Sequence, residues 1–455
     1  MSFSRATRLA VASSASVAAL ALAGAPALAN GRFPAANQLV VSPADPNTLV
    51  ARTTFGILIS RDHGQNWDWL CEQAVGFLGN ADPALGLTQG GSAVLGKFDA
   101  LLVSSGDWCN WSTIGGGLAD AYVSDVVVRP DTPHAVLAVT STYLGADAGA
   151  PDAGPMYASQ VFQSTDDGAK WAMPGPPLQA GWVTETIEVA ASDPSRLYVS
   201  AVRGALDARE VSLFVSTDSG STWTPRPIPV IANVEPSAFV AAVDPHNADR
   251  VYVRTGGAPA EATASRLLVS DDAGKTYKTA LTLPSQMYGF ALSPDGSKVF
   301  AGSAREGLYQ AAASDLAFTK RSAIHVRCLR ATASELWACS DEVSGFTLGS
   351  SGDDGATFAA RLHLDGVRGP VRCKERDAGA AICAQYWPVQ CETLGGCGPV
   401  DAGPVDAGKV TPPTTTPAPS ASCGCVLGPR SAAGWGAGAA TILAFAALLR
   451  RRAKR

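Results

Sequence analysis

One eight-residue pattern recurs along this chain and constrains its fold more than any other feature. It has the form Ser-x-Asp-x-Gly-x-x-aromatic, and its clearest copy is residues 216–223, STDSGSTW. A short apolar run, residues 213–215, precedes it and predicts a strand that ends at the serine. In the turn, the aspartate is expected to bind backbone N–H groups and the glycine to supply a positive φ. The aromatic ring would then anchor the next strand, so the pattern predicts a tight turn between two strands.

Five clear copies and two degenerate ones set the number of repeats. The aspartates of the clear copies, which we expect to be structural, are Asp62, Asp166, Asp218, Asp272 and Asp353. Residues 104–111 keep the serine and the closing tryptophan, whereas residues 311–318 keep only the spacing and the aromatic residue. The seven copies start about 48 residues apart on average, a spacing within the range of propeller blades.

A two-strand segment, such as residues 239–253, precedes most of these turns, so that one repeat contains four strands. Four-stranded repeats around a ring make a β-propeller. The sequence therefore predicts an all-β fold, a seven-bladed β-propeller of four-stranded antiparallel blades. Residues 371–386 read as one more strand pair without a turn pattern after it. They could begin an eighth blade or form a cap held by cysteines.

The repeated turn resembles the Asp-box, or BNR, repeat of secreted β-propellers. The resemblance implies that the boxes lie on one face as scaffold and that binding uses the opposite face. Loops between blades, and loops between the second and third strands of a blade, would build that face. They contain Tyr122, Trp182 and Tyr288, whose rings suit stacking on sugars or on apolar side chains of a partner.

An enzyme of this family would need carboxylates in pairs, since glycoside hydrolysis places two across the scissile bond. The candidates near the starts of inner strands are Asp125, Glu185, Glu188 and Glu235. Sialidases share the boxes, but their arginine pattern is not matched, and the related xyloglucanases usually pair two propellers. The prediction is therefore a binding module for an extracellular polysaccharide or protein. The alternative is a divergent sialidase-like or glucanase-like hydrolase.

The first part of the chain predicts export. Arg5 and Arg8 precede an apolar run, and Ala27 and Ala29 form a small-residue cleavage site, so residues 1–29 are expected to be a signal peptide. The propeller would then occupy residues 30–398. Residues 399–422 are rich in Thr and Pro with Asp-Ala-Gly phrases, which is typical of a disordered linker.

The last part of the chain, residues 423–455, predicts sorting. Residues 431–449 carry no charge and are long enough to span a bilayer, and a cluster of basic residues follows. Together with Cys423 and Cys425, this order resembles the MYXO-CTERM sorting tail of bacterial surface proteins. The resemblance implies a span that is removed, leaving the protein at the cell surface or outside; a permanent membrane anchor is the alternative.

Ten cysteines in an exported chain predict disulfides rather than metal ligands. The expected pairs are Cys328 with Cys339, Cys373 with Cys383, Cys391 with Cys397, and Cys71 with Cys109, although eight cysteines allow many connectivities. No metal and no cofactor is expected, because Cys-x-x-Cys is absent and the histidines are scattered. A net charge of −5 offers no basic surface for nucleic acid. The expected partners are an extracellular glycan or surface protein and the export and sorting machinery.

Overall fold

The computed structural model describes residues 33–77, 82–104, 106–146, 155–256, 264–375 and 378–396. In these ranges 28 strands form seven sheets, and the seven-bladed propeller is confirmed. Six sheets are antiparallel meanders of four strands in chain order, one of which gains a fifth strand, and the sheet of the third blade has three. The predicted signal peptide, linker, span, Cys423 and Cys425 lie outside the described residues.

The first four blades are built from these strands: β1 (Ala36–Val41), β2 (Leu49–Thr53), β3 (Gly56–Ser60) and β4 (Trp67–Leu70); β5 (Ala84–Leu87), β6 (Ala93–Gly96), β7 (Leu101–Ser104) and β8 (Ser112–Ile114); β9 (Tyr122–Val128), β10 (Val136–Ala146) and β11 (Pro155–Ser164); β12 (Val183–Val189), β13 (Leu197–Arg203), β14 (Glu210–Ser216) and β15 (Thr224–Pro227). A short helix, α1 (Glu72–Val75), follows the first blade.

The last three blades are built from these strands: β16 (Ser237–Val243), β17 (Val251–Gly256), β18 (Ser265–Ser270) and β19 (Lys278–Leu283); β20 (Met287–Leu292), β21 (Lys298–Ser303), β22 (Gly307–Ala312) and β23 (Thr319–Ser322); β24 (Cys328–Ala331), β25 (Leu336–Cys339), β26 (Leu348–Ser351) and β27 (Ala359–Leu362). A final strand, β28 (Val367–Pro370), and a helix, α2 (Cys383–Thr393), follow the seventh blade.

The first strands of successive blades contact one another around the ring, with β24 against β1 at the closing seam. These seven strands therefore surround the central channel. Buried apolar side chains pack between neighbouring blades, such as Tyr198 and Leu213 of the fourth blade against Val240 and Val253 of the fifth. Burial of this kind, about 1.5–3 kcal/mol for each large apolar side chain, holds blade to blade.

The repeated turn follows the third strand of its blade and has one hydrogen-bond pattern. At the fourth blade, the Ser216 hydroxyl donates to Asp218 Oδ1 over 2.8 Å and accepts from the Gly220 N–H over 2.8 Å. The Thr222 N–H donates to the same Asp218 oxygen over 2.8 Å. Ser219 and Gly220 both have positive φ, 59° and 89°. The serine, aspartate and glycine of the other four clear copies make the same bonds.

The third blade departs from four strands. In place of a fourth strand, the irregular segment 172–181 runs beside β11, where Leu178 N donates to Ser159 O over 2.8 Å and Gly181 N to Tyr157 O over 2.9 Å. The second and third strands of this blade are also the longest of the propeller. This blade therefore projects further than the others on the side away from its turn.

The C-terminal segment closes the ring and forms the cap. After the seventh blade, β28 pairs in parallel with β4, the outer strand of the first blade. Cys383 at the start of α2 is bonded to Cys71 after the first blade, and Cys373 is bonded to Cys109 in the second. The ring of Trp387 packs on Trp69 with centroids 5.4 Å apart. In the described parts of this stretch, 371–375 and 378–386, the chain forms bends, a 3-10 turn (Gly379–Ile382) and the start of α2, so the prediction of a strand pair was wrong.

Two of the predicted cysteine pairs are corrected by this path. Cys328 and Cys339 are bonded as predicted, because they lie opposite each other on adjacent strands. The pairs Cys71 with Cys109 and Cys373 with Cys383 were wrong, because the returning C-terminal segment brings one cysteine of each pair to a partner in the other. Cys391 is disulfide-bonded, and Cys397, its predicted partner, lies outside the described residues.

Three disulfides are typical of a protein in an oxidising, extracellular environment. No helix within the described ranges is both long and apolar enough to cross a bilayer.

The two ring-closing disulfides predict a non-additive loss of stability. They span 312 and 264 residues of sequence, but either bond shortens the loop that the other closes to about 50 residues. Each serine pair alone, C71S/C383S or C109S/C373S, should lower the free energy of unfolding by about 4 kcal/mol. Removing both bonds should cost about 1–2 kcal/mol more than the sum of the two losses.

Urea unfolding followed by tryptophan fluorescence measures these losses. The control is C328S/C339S, which opens a loop of only 11 residues and should cost least. Strictly additive losses, or an equal loss in the control, would contradict ring closure by the C-terminal segment.

Candidate functional site

The two faces of the ring differ in what forms them. The repeated turns follow the third strands, which run in the same direction as the first strands, so these turns lie on one face. We call it the box-turn face. The first strands begin on the other face, where the loops between second and third strands and the connections between blades also lie. We call this the entrance face.

A cavity of about 210 Å³ occupies the central channel. Its walls come from the first strands of six blades, the first and the third to the seventh, and from β17. Its polar and charged side chains include Gln38, Asp125, Glu188 and Arg254, and Tyr288 supplies an aromatic ring. Two carboxylates and one guanidinium therefore face the same small space.

Asp125 is held in place by the backbone of two blades. Its Oδ1 accepts from the Val126 N–H over 2.9 Å, and its Oδ2 accepts from the Ile187 N–H of the fourth blade over 3.0 Å. Burial raises its pKa to about 6, although these hydrogen bonds and the nearby Arg52 and Arg254 act in the opposite direction. Both oxygens are thus oriented by backbone N–H groups.

Glu188 is the most perturbed carboxyl group of the channel. Burial raises its pKa to about 8, and repulsion from Asp125 raises it further, while Arg330 of the seventh blade opposes the shift. The channel walls enclose both Glu188 and Arg330, although each side chain keeps some contact with solvent. At neutral pH, Glu188 is therefore mostly protonated.

The other two predicted carboxylates occupy different surroundings. Glu185 accepts from the Ser237 hydroxyl over 2.9 Å, and burial raises its pKa to about 7 against Arg209 and Arg254. Glu235 is only 2% exposed and is clasped by Arg266, whose Nε donates to Oε1 over 2.7 Å. Glu235 also accepts from the Ile231 N–H over 2.7 Å, and this carboxylate fixes a loop rather than facing the channel.

The predicted aromatic residues are not brought together. The Tyr122 ring stacks on Phe98 with centroids 5.0 Å apart. Trp182 is 4% exposed, packs edge-on against Phe214 and is covered by the Arg203 guanidinium at 4.6 Å. Tyr288 is 37% exposed and lines the cavity. Of the three rings, only that of Tyr288 is presented to a ligand.

Sequence reasoning missed the cations of the site. Arg254 lies on β17, where its Nη1 donates to Met287 O over 2.8 Å and its guanidinium stacks over Phe239 at 4.8 Å. Burial lowers its pKa to about 10, so it stays charged at neutral pH. Burial also lowers the pKa of Arg330, which Glu188 opposes. In the sequence, Arg254 is one arginine near the end of a second strand, and nothing in the pattern of carboxylates indicates that it faces them.

The aspartates of the repeated turns lie on the box-turn face and are saturated with hydrogen bonds. Bonds from the side chain and the N–H of Thr222 hold the pKa of Asp218 below its ordinary value. Across the described ranges, no group of three or more His, Cys, Asp or Glu side chains is arranged to hold a metal ion.

Comparisons with known proteins show the fold. No family model matches the chain, and no curated protein sequence matches it. An ancestral GH74 enzyme superposes with a TM-score of 0.52 at 15% identity, covering 73% of this chain and 47% of that structure. The chain thus spans about half the length of that enzyme.

Two further solved structures are similar at lower scores. The GH74 xyloglucanase from Xanthomonas campestris gives a TM-score of 0.35 at 14% identity, covering 75% of this chain and 66% of its own. YCF48 from Cyanidioschyzon merolae gives 0.45 at 12% identity, covering 68% and 93%. At these identities the similarity to the GH74 enzyme shows a β-propeller and no more.

The raised pKa of Glu188 predicts a pH-dependent stability. Burial makes the protonated form of Glu188 the favoured one in the folded protein. Its contribution to stability is therefore fully present below its unfolded pKa of 4.5 and is lost as the pH rises through about 8. When the pH is raised from 5 to 9, the free energy of unfolding of Glu188→Gln should increase by about 1–3 kcal/mol relative to that of the wild type.

Urea unfolding at the two pH values tests this, with Glu210→Gln as the matched control on the exposed Arg203–Glu210 pair. Equal pH dependence in the wild type and Glu188→Gln would show that Glu188 is ordinarily ionised in the fold.

Proposed function

We propose that this chain is an exported interaction propeller that binds a protein partner through its entrance face. The proposal rests on the positions of the exposed apolar side chains. Eight large hydrophobic residues of the described ranges are exposed, and five of them belong to the entrance face. They are Leu144, Leu206, Ile231, Tyr288 and Val343.

These five side chains come from the third, fourth, sixth and seventh blades and from the connection between the fourth and fifth. Leu144 is 59% exposed near the end of the long β10, and Val343 is 84% exposed in the loop between β25 and β26. Leu206 and Ile231 lie on connections of the fourth blade. Apolar side chains that share one exposed face offer area that a protein partner could cover.

We call these five side chains the rim, and their chemistry favours a protein partner over a polysaccharide. Four of its five exposed residues are aliphatic, whereas sugars are commonly held by open aromatic faces. Trp182 is buried, and one face of the Tyr122 ring is covered by Phe98. Export is supported by the predicted signal peptide and sorting tail and by the disulfides.

A divergent glycoside hydrolase is the second candidate, because Asp125 and Glu188 face one cavity. Two features argue for binding instead. Both oxygens of Asp125 already accept backbone hydrogen bonds, and the cavity of about 210 Å³ is smaller than the sites of about 300–1,000 Å³ that hold larger ligands.

Substitutions on the rim test the proposal. Leu206→Asp with Val343→Asp should reduce retention of surface proteins on the immobilised oxidised protein at least tenfold, since a desolvated carboxylate is unfavourable in an interface. Met173→Asp is the matched control, because Met173 is 59% exposed but follows the box turn of the third blade. Retention is measured by surface plasmon resonance with a cell-surface extract.

The same extract, treated with protease or with periodate, identifies the class of partner. Protease should abolish the signal, and periodate should not. A protease-resistant signal that periodate destroys, or an equal loss in Met173→Asp, would contradict a protein partner at the entrance face.

Hydrolysis is tested separately with a panel of polysaccharides and product analysis by mass spectrometry. We expect no products. Turnover that is lost in Asp125→Asn would establish the hydrolase and replace the binding function.

A further inference from the structure

We propose that the central channel binds a small zwitterion, a molecule that carries one ammonium and one carboxylate group a few carbons apart. This inference concerns the interior of the channel and is independent of the aliphatic rim on which the proposed protein binding rests. It starts from the charges that face the cavity.

The charged groups of the cavity are not neutralised by one another. Asp125, Glu188 and Arg254 all line it, and Arg330 acts on Glu188 from the seventh blade. In a ring of seven blades, the fourth blade, which carries Glu188, and the seventh lie on opposite sides of the channel. The described side chains form no ion pair within 4.0 Å between any of these four groups. Asp125 and Arg254 therefore face the same space without pairing directly, and Glu188 and Arg330 lie on opposite sides of it.

Arg254 is positioned to receive a carboxylate. The Met287 carbonyl and the Phe239 ring fix its guanidinium, yet only one of its N–H donors makes a described hydrogen bond. A guanidinium presents five donors in a planar fork that matches a carboxylate. A bound carboxylate would accept the donors that the protein leaves open.

Asp125 and Glu188 are positioned to receive the ammonium group. Asp125 is fixed by the Val126 and Ile187 N–H groups, and Glu188 follows Ile187 in sequence, so the two carboxyl groups share one wall of the cavity. The charge on Asp125 disfavours ionisation of Glu188, and an ammonium group placed near both would offset that repulsion and favour two ionised carboxylates. Tyr288 and Phe290 line the same cavity and offer an apolar wall for the carbon chain between the two charged ends.

The size of the cavity limits the ligand. At about 210 Å³ it lies below the usual range for drug-sized ligands, about 300–1,000 Å³, and it admits a molecule of amino-acid size rather than an oligosaccharide. The ligand class is therefore a small amino acid, including those with the amino group at the far end of the chain.

Binding of the ammonium group should release a proton. The groups that act on Glu188 are Asp125 and Arg330, and Arg254 and Tyr288 line the same cavity. With its pKa near 8, Glu188 is protonated in the empty channel at pH 7, and an adjacent cation favours the ionised form. Affinity should therefore rise with pH up to about 8.

The experiment is isothermal titration calorimetry on the full oxidised chain with unbranched ω-amino acids from glycine to 6-aminohexanoate. Propylamine and propionate serve as singly charged controls. We expect the affinity to peak at one chain length, at least tenfold above both controls. Titrations in buffers of different ionisation enthalpy should show release of a fraction of a proton at pH 7.

The variants Glu188→Gln and Arg254→Met should each weaken the best ligand at least tenfold, and Glu188→Gln should abolish proton release. Glu210→Gln and Arg203→Met make the same changes on an exposed pair and should leave the affinity unchanged. Circular dichroism establishes that each variant is folded, and Arg254→Lys, which keeps the charge, should recover part of the affinity.

Each other outcome overturns the proposal. Propylamine binding as tightly as the amino acids would make the channel a cation site, and propionate doing so would make it an anion site. No heat with any compound at millimolar concentration would show that the channel holds no such ligand. Rim variants that lose the protein partner would leave these titrations unchanged, so the two proposals fail separately.

Discussion

The structure depends on the covalent closure of its ring. Successive blades are joined by the chain, whereas the seventh and first blades meet through packing of β24 and β25 against β1 and through contacts such as the His63–Glu335 ion pair. The C-terminal segment crosses this seam, adds β28 to the first blade and is bonded to Cys71 and Cys109. The channel depends on the closed seam, because Gln38 of the first blade and Leu329 of the seventh line the cavity from its two sides.

The residues that stabilise the repeated turns and the residues proposed to bind a partner lie on different parts of the ring. On the box-turn face, serine, aspartate and glycine satisfy one another, and the aspartates such as Asp218 have lowered pKa values. In the channel, carboxyl groups such as Glu188 have raised pKa values because burial is not compensated by an ion pair. Titratable groups with perturbed pKa values in a concave site are candidates for a functional site. The exposed aliphatic residues lie on the same side of the ring.

The sequence predicted what is local and repeated. The turn pattern gave the blade number, since the serine that starts each clear copy ends a third strand, and the Cys328–Cys339 pair followed from adjacent strands. The pairs of Cys71 and Cys109 could not be predicted, because they depend on the path of a segment more than 260 residues away. Trp182 and Glu235 lie where loops were expected, but the sequence does not reveal that Arg203 and Arg266 cover them. Arg254 was missed for the same reason, since its role arises only where blades meet.

The central claim is that this propeller acts through its entrance face while the box-turn face is scaffold. Hydroxyl-radical footprinting of the purified protein, with and without the cell-surface extract, tests it most directly. The account predicts protection of Leu206, Ile231 and Val343 with no change at Met173. Protection of Met173 and of the repeated turns, with Leu206 and Val343 still oxidised as in the purified protein, would contradict it.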